Sequence, residues 1–203
     1  LSDPKNLRVE LAGMLGRQTP GIDLRSRAQL IEQLIVVFHT MRTTEHLLQV
    51  AGGAAAPGSR LRRYYAEHLI EERGHARLLA EDLASVGIDV LKLEPPADVL
   101  ALIGSIYYEL FHVSAAALLG WQCVAEWFPL PLSTIGALED LHGKKLLRTL
   151  RLHSEIDPHH GTELEREIAR LPDADQAVVA RSAKRSLVYL LNLRGRMCRS
   201  LAA

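Results

Sequence analysis

Apolar side chains recur at intervals of three and four along almost the whole chain, and no stretch alternates with the period of two that marks a half-buried strand. The pattern predicts a first, peripheral helix over residues 3–17, ended by the Thr19-Pro20-Gly21 turn. A second runs from Leu24 to Val50, with Leu30, Ile31, Leu34, Phe38 and Leu47 along one side, and stops at Gly52-Gly53. Ser59 is placed to cap a third helix, Arg60 to Val86, and Gly87 to end it. A fourth spans Ala97 to Trp127. It is apolar nearly all round and rich in small residues, as a central helix with close neighbours would be, and Pro129 and Pro131 forbid its continuation. Ser133 caps a fifth helix that Gly143 interrupts or ends, and a sixth covers Pro158 to Leu171. Asp173 with Gln176 forms a capping box for a last helix, Ala174 to Leu201. The expectation is an all-α, single-domain bundle of about seven helices over residues 1–203.

Composition narrows the function classes. At 203 residues the chain suffices for one domain with a sizeable core, and two would be cramped. Lys+Arg and Asp+Glu both number 24, so charge gives no case for nucleic acid or an anionic membrane. The cluster Arg60, Arg62, Arg63 reads as a solvated helix start. Two distant cysteines, Cys123 and Cys198, make neither a disulfide framework nor a thiolate metal site, which points to a reducing cytoplasm. The N-terminal stretch is charged and lacks the apolar core of a secretory signal, and no apolar run approaches the ~18 residues of a bilayer span. A soluble cytoplasmic protein is expected. The apolar last helix (Leu187, Val188, Leu190, Leu191, Leu193) would serve a homodimer, although core packing accounts for it as well.

Candidate chemistry concentrates in three places. Residues 64–83 carry His68, Glu72 and His75 at i, i+4 and i+7, one face of a helix, with Glu71 within reach. Glu126 is the only acid in the C-terminal half of the fourth helix, set among Trp121, Val124, Trp127 and Phe128, where a carboxylate needs a partner or a cation. The stretch HSEIDPHHG repeats the i, i+4, i+7 spacing with His153, Asp157 and His160. Pro158 complicates it: either the helix is kinked there, or Asp157 caps a helix that begins at Pro158. His159 faces elsewhere. Mixed imidazole and carboxylate donors on facing helices suit iron or manganese better than a structural zinc, which favours cysteine.

These motifs, EERGHxxxLxxDLxxxG over Glu71–Gly87, the Tyr107-Tyr108 pair, LLGxxxxxE ending at Glu126 and HxxxDxxH over residues 153–160, resemble the haem-oxygenase-like di-iron oxidases, often described as iron-containing redox enzymes. The resemblance covers about residues 60–170. It implies a seven-helix haem-oxygenase-like fold, shared with the TenA/PqqC-type proteins, and a non-haem centre of two iron ions, though one ion or manganese suits the same donors. It also implies dioxygen-dependent oxidation of a small molecule of amino acid, amine or fatty acid type, with electrons from an unidentified donor. By motif match, His75, Glu126, His153, Asp157 and His160 correspond to family ligands. Many members carry a glutamate seven residues before the motif histidine, where this chain has His68; Glu72 is a ligand in some members. Substrate would lie near Tyr107, Tyr108 and Trp121.

Three other readings stay open. A metal-free, thiaminase-like hydrolase on the same fold would use Cys123, one turn from Glu126, although a buried small hydrophobe explains that cysteine equally. Haem could bind through His39 or His46, which leaves the other histidines unexplained. A non-catalytic helical scaffold or binding protein with a degenerate site finds its support in His68.

Overall fold

The computed structural model describes residues 4–18 and 23–200. Nine α-helices lie among them: α1 (Pro4–Gln18), α2 (Arg27–Ala54), α3 (Arg60–Glu72), α4 (His75–Ala84), α5 (Ala97–His112), α6 (Ala117–Glu126), α7 (Leu132–His142), α8 (Arg148–Ala169) and α9 (Asp173–Ser200), with a 3-10 turn at Val90–Lys92. The bundle is all-α, as expected. Two of the seven expected helices are each broken in two, and the breaks have local causes.

The third expected helix divides at Arg73-Gly74. Gly74 adopts φ 91°, a left-handed conformation open to glycine at little cost, and its N–H donates to Glu45 Oε1 on α2 at 3.1 Å. The fourth divides between Val113 and Ala116. Ser114 Oγ accepts from the Ala116 N–H at 3.1 Å and donates to Asp175 at 2.9 Å, while Tyr65 Oη donates to the Ala115 carbonyl at 2.7 Å. Side chains thus supply the hydrogen bonds that the interrupted helix gives up.

Other boundaries also move. α2 continues through Gly52-Gly53 and ends where Pro57 forces the chain to extend. A Cβ on Gly52 would meet Tyr65 at 3.7 Å, so the glycine marks where α2 crosses α3. Ser59 caps α3 as expected, accepting from the Arg62 N–H at 3.2 Å. Pro131 occupies the cap position of α7, and Ser133 lies inside its first turn. Gln176 donates to the Leu171 carbonyl, so its side chain turns toward the preceding turn and not into the expected box with Asp173. The Thr19-Pro20-Gly21 turn and Leu201 lie outside the described residues.

HSEIDPHHG lies wholly within one helix, for α8 passes uninterrupted through Pro158. Asp157 is therefore not a cap. Pro158 is exposed, and its missing N–H leaves α8 one hydrogen bond short without ending the helix.

α6 is the central element, with every residue from Ala117 to Val124 buried. A Cβ on Gly120 would stand 2.5 Å from Ser182 Cβ and 2.6 Å from the Ala183 nitrogen, so only glycine lets α9 approach this closely. α1 is no loose peripheral helix: Leu7 and Leu11 join the core, and Arg8 reaches Glu165 and the Trp127 carbonyl. Leu187, Leu191 and Leu193 of α9 are buried inside the same chain. A second apolar cluster, built from Leu34, Phe38, Leu79, Leu83 and Leu138, ties α4 and α7 to α2. Among the described residues no helix is long and apolar enough to cross a membrane.

Candidate metal centre

Four helices converge on two groups of donors. His68 of α3, Glu126 of α6 and His160 of α8 form one triad, and Glu72 of α3, His75 of α4 and His153 of α8 form the other. Within each triad the candidate ligand atoms all lie within 4.8 Å of one another. The two are built alike. Each joins a glutamate to one histidine from the α3–α4 segment and one from α8, and in each the imidazoles meet edge to face with centroids 4.9 Å apart.

The break at Gly74 produces this duplication. On an unbroken helix, His68, Glu72 and His75 would share a single face. With the turn at Arg73-Gly74, His75 Nδ1 folds back to within 3.2 Å of Glu72 Oε2 on the second triad, while His68 stays with the first. α8 needs no break, because His153 and His160 lie seven residues apart on one face, two turns of helix.

The sites are buried and strongly charged. His68 Nε2 is 3.1 Å from Glu126 Oε1, and its Nδ1 is 3.5 Å from Glu71 Oε2, which also lies 3.5 Å from His160 Nε2. Burial opposes a charge on His68. The hydrogen bond to Glu126 and the fields of Glu126, Glu72 and Glu71 outweigh it and raise the imidazole to about 9. Glu72 is likewise opposed by burial, yet its bond to His75 and the nearby imidazoles hold it below the usual carboxylate range. At His153, burial lowers the pKa, but Asp157 Oδ1 at 3.1 Å from Nδ1 brings it up overall.

That pairing is incomplete. Among the described residues, Glu126 Oε2, His153 Nε2 and His160 Nδ1 are buried without any hydrogen-bond partner. Such atoms cost free energy unless something satisfies them, and a divalent cation among two imidazoles and a carboxylate would use carboxylate oxygens and imidazole nitrogens of this kind. The residues fit a metal with nitrogen and oxygen preferences, and neither triad contains a thiolate.

The seven expected metal residues divide unequally. Six form the triads, while Asp157, 4% exposed, is held against His153 and belongs to neither. With the proton on Nδ1 shared with Asp157, His153 presents Nε2 to the site, the arrangement by which a carboxylate orients a metal-binding imidazole. The aromatic residues expected beside substrate are scattered. Tyr107 Oη lies 2.6 Å from His46 Nδ1, Tyr108 is 62% exposed against His112, and Trp121 is buried in the core. Among the described residues no hydrogen bond or ring contact joins any of the three to either triad. His39 is buried, and neither of its ring nitrogens has a partner among the described residues. Cys123 is wholly buried, and burial pushes its thiol well above the ordinary value.

Three contributors escaped the sequence reading. The Tyr64 ring stacks on His68 at 5.6 Å. Gln122, one turn before Glu126, donates to Glu126 Oε1 at 3.2 Å and to Tyr64 Oη at 3.3 Å. Gly161 accepts from Trp127 Nε1 through its carbonyl, and a Cβ there would stand 3.1 Å from the indole. That closeness sets His160 beside Glu126. The only sequence signal was the helical spacing of Tyr64 and Gln122 from His68 and Glu126, which neutral residues share with ordinary core positions.

Solved structures with the same architecture include a domain of unknown function with a heme oxygenase-like fold from Shewanella denitrificans OS217. It superposes with TM-score 0.77 at 18% identity, over 100% of this chain and 94% of its own. A TenA homologue from Pseudomonas syringae pv. tomato DC3000 superposes with TM-score 0.75 at 15% identity, over 96% and 92%. The fold is therefore haem-oxygenase-like. No curated protein matches the chain. Residues 32–189, which contain both triads, match the family described as iron-containing redox enzyme, and the chain belongs to that family.

Proposed function

We propose that the protein is a non-haem iron oxidoreductase that uses dioxygen to oxidise a small molecule, with one ferrous ion held by His68, Glu126 and His160 and a second by Glu72, His75 and His153. The observation that carries this reading is the pair of like-built histidine–glutamate triads with three orphaned buried donor atoms. Bound iron would supply reducing equivalents and open coordination positions for dioxygen. The chain's own residues do the rest. Gln122 and Tyr64 fix the Glu126 carboxylate and the His68 ring, and Asp157 fixes the tautomer and direction of His153. Glu71, between His68 and His160, offers the first site the anionic oxygen that imidazole at position 68 does not provide. The same donors accept manganese, or a single ion if one triad is weaker. A reductant must restore ferrous iron, and the cytoplasm is the compartment we propose.

Anaerobic titration with ferrous iron, followed by oxygen uptake, tests the reading. About two ions per chain, and oxygen consumption that follows loading, are expected. Absence of tight binding overturns it.

The metal-free, thiaminase-like reading draws on the fold shared with a TenA homologue and on Cys123 one turn from Glu126. Full burial of the thiol weakens it, since the nucleophile is the thiolate.

A further inference from the structure

α5 packs one side against α2, α6 and α9 and turns the other outward. On the outward side Ala97, Leu100, Ala101, Gly104, Tyr108 and Phe111 are all exposed and fall on a single helical stripe. None is charged. Apart from the central α6, every other α-helix places at least one Lys, Arg, Asp or Glu among its exposed residues. Leu100 is 58% exposed, Tyr108 62% and Phe111 68%. Gly104 lies at the middle of the stripe. A Cβ there would meet nothing within 4 Å, so no contact inside the chain calls for glycine, which weakens a helix interior relative to alanine. The residues around it are ordered by size. Leu100 and Tyr108 stand four positions to either side of Gly104, and Ala97 and Phe111 seven.

We propose that this face of α5 joins two copies of the chain about a two-fold axis through Gly104. Two α5 helices laid antiparallel and crossing there set Leu100 of each against Tyr108 of the other, and Ala97 against Phe111. Each smaller side chain thus meets an aromatic ring, as a self-complementary interface requires, and the paired glycines let the helix axes approach closely. The area suffices. An aromatic side chain carries about 150–250 Å², so Tyr108 and Phe111 together offer roughly 200–300 Å² at these exposures. Leu100, the two alanines and Gly104 bring the face to about 500 Å² per copy, as large as the biggest apolar patch of an ordinary monomer. Two copies would cover about 1,000 Å², the size at which a specific interface holds. α9, the other candidate for self-association, buries Leu187, Leu191 and Leu193 within its own chain. A membrane surface fits less well, since an interfacial helix carries Lys or Arg beside its apolar face and α5 contains neither. No triad residue lies on α5, so the interface stands apart from the metal reading.

The test is sedimentation velocity of the full chain over about 1–100 μM. A species of twice 22.5 kDa should form within that range. Gly104→Glu places two like charges on the axis and should weaken the dimer at least tenfold, although the open space around Gly104 leaves the fold intact. Circular dichroism and Tm check that the variant is folded, and Leu100→Glu, at an exposed position, repeats the test from a second residue. Gly104→Cys reports the geometry, because residues on a two-fold axis meet their own copies. Mild oxidation should join the variant into a covalent dimer that the unsubstituted chain does not form. A chain that stays monomeric at 100 μM, including one that binds anionic vesicles instead, overturns the proposal. So does a dimer that survives both glutamate substitutions at undiminished affinity, or one that Gly104→Cys does not cross-link.

Discussion

His68 Nε2 stands 3.1 Å from Glu126 Oε1, and through that contact α3 and α6 are joined at a point where both side chains are buried. The relationship is a substitute for a cation. A charged imidazole and a carboxylate neutralise one another, while the glutamate's other oxygen, Oε2, has no partner among the described residues. A metal ion held by this triad in place of the imidazole proton would supply the positive charge that the buried carboxylate needs. Because the second triad shares no donor with the first, the two sites should fail separately. Glu126→Ala or His160→Ala is expected to lower ferrous iron from about two ions per chain to about one, and His75→Ala to do the same from the other side. Loss of both ions in every variant would mean one shared site, and loss of neither would remove these residues from the ligand set.

The raised pKa of His68 makes the metal-free protein pH-sensitive in a defined window. Its folded value, about 9, lies above the ordinary 6.5, so its contribution to stability is complete below about 6.5 and is lost as pH rises through about 9. The span corresponds to at most about 3 kcal/mol. Thermal melts of the metal-free protein should therefore show Tm falling between pH 7 and pH 9, and His68→Gln should flatten that part of the profile. Iron requires the neutral imidazole, so loading at pH 7 should release protons, measurable as heats that depend on the buffer.

Gly74 is a conformational requirement and also the element that makes two sites from one helical stripe. At φ 91°, alanine or valine would be strained by about 1 kcal/mol or more, whereas asparagine tolerates the left-handed region better. Gly74→Val should lower Tm and weaken the His75-containing site more than the His68-containing one. Gly74→Asn should do less of both. Equal losses at the two sites would show that the break does not serve His75 in particular.

This turn also marks what was legible in the chain. The helical period, the facing motifs and Glu126 as an acid among aromatic residues could be read directly, because each is a local pattern of polarity. The breaks at Gly74 and at Ser114 could not, since a glycine or serine inside a helical pattern costs little by itself and what decides is a partner elsewhere, Glu45 or Asp175. Tyr64 and Gln122 were silent for a related reason: the hydrogen bond that joins them exists only once α3 and α6 lie side by side. Pro158 misled in the other direction, for one lost backbone hydrogen bond does not end a helix whose turns on both sides pack against the core.

Cys123 discriminates between the chemistries available to this fold. It is 0% exposed, and burial holds its thiol protonated at neutral pH. Iodoacetamide at pH 8 should leave Cys123 unmodified in the native protein and alkylate it in urea, as peptide mass analysis would register. Rapid native alkylation at Cys123, with loss of an activity that does not need iron, would favour the hydrolase.

The last relationship that sets the geometry lies away from the donors. Asp82 of α4 is fully buried and accepts from the Thr149 N–H at 2.8 Å, from Thr149 Oγ1 at 2.6 Å and from Arg148 Nε at 2.9 Å. It therefore caps the first turn of α8 from a neighbouring helix. Asp82 lies seven residues after His75, and Thr149 four before His153, so the pairing fixes the axial register of the helices that carry two ligands of the second triad. Asp82→Ala would leave the Thr149 amide unsatisfied and take one of two carboxylate partners from Arg148, which keeps Glu81, at a cost of about 1–3 kcal/mol. Asp82→Asn keeps the shape and one acceptor, and should cost less. If register is what Asp82 supplies, the asparagine variant will fold, load the His68 site normally and bind the second ion more weakly, as a titration resolved into two steps would reveal. Equal weakening of both steps would reduce Asp82 to a general contributor to stability.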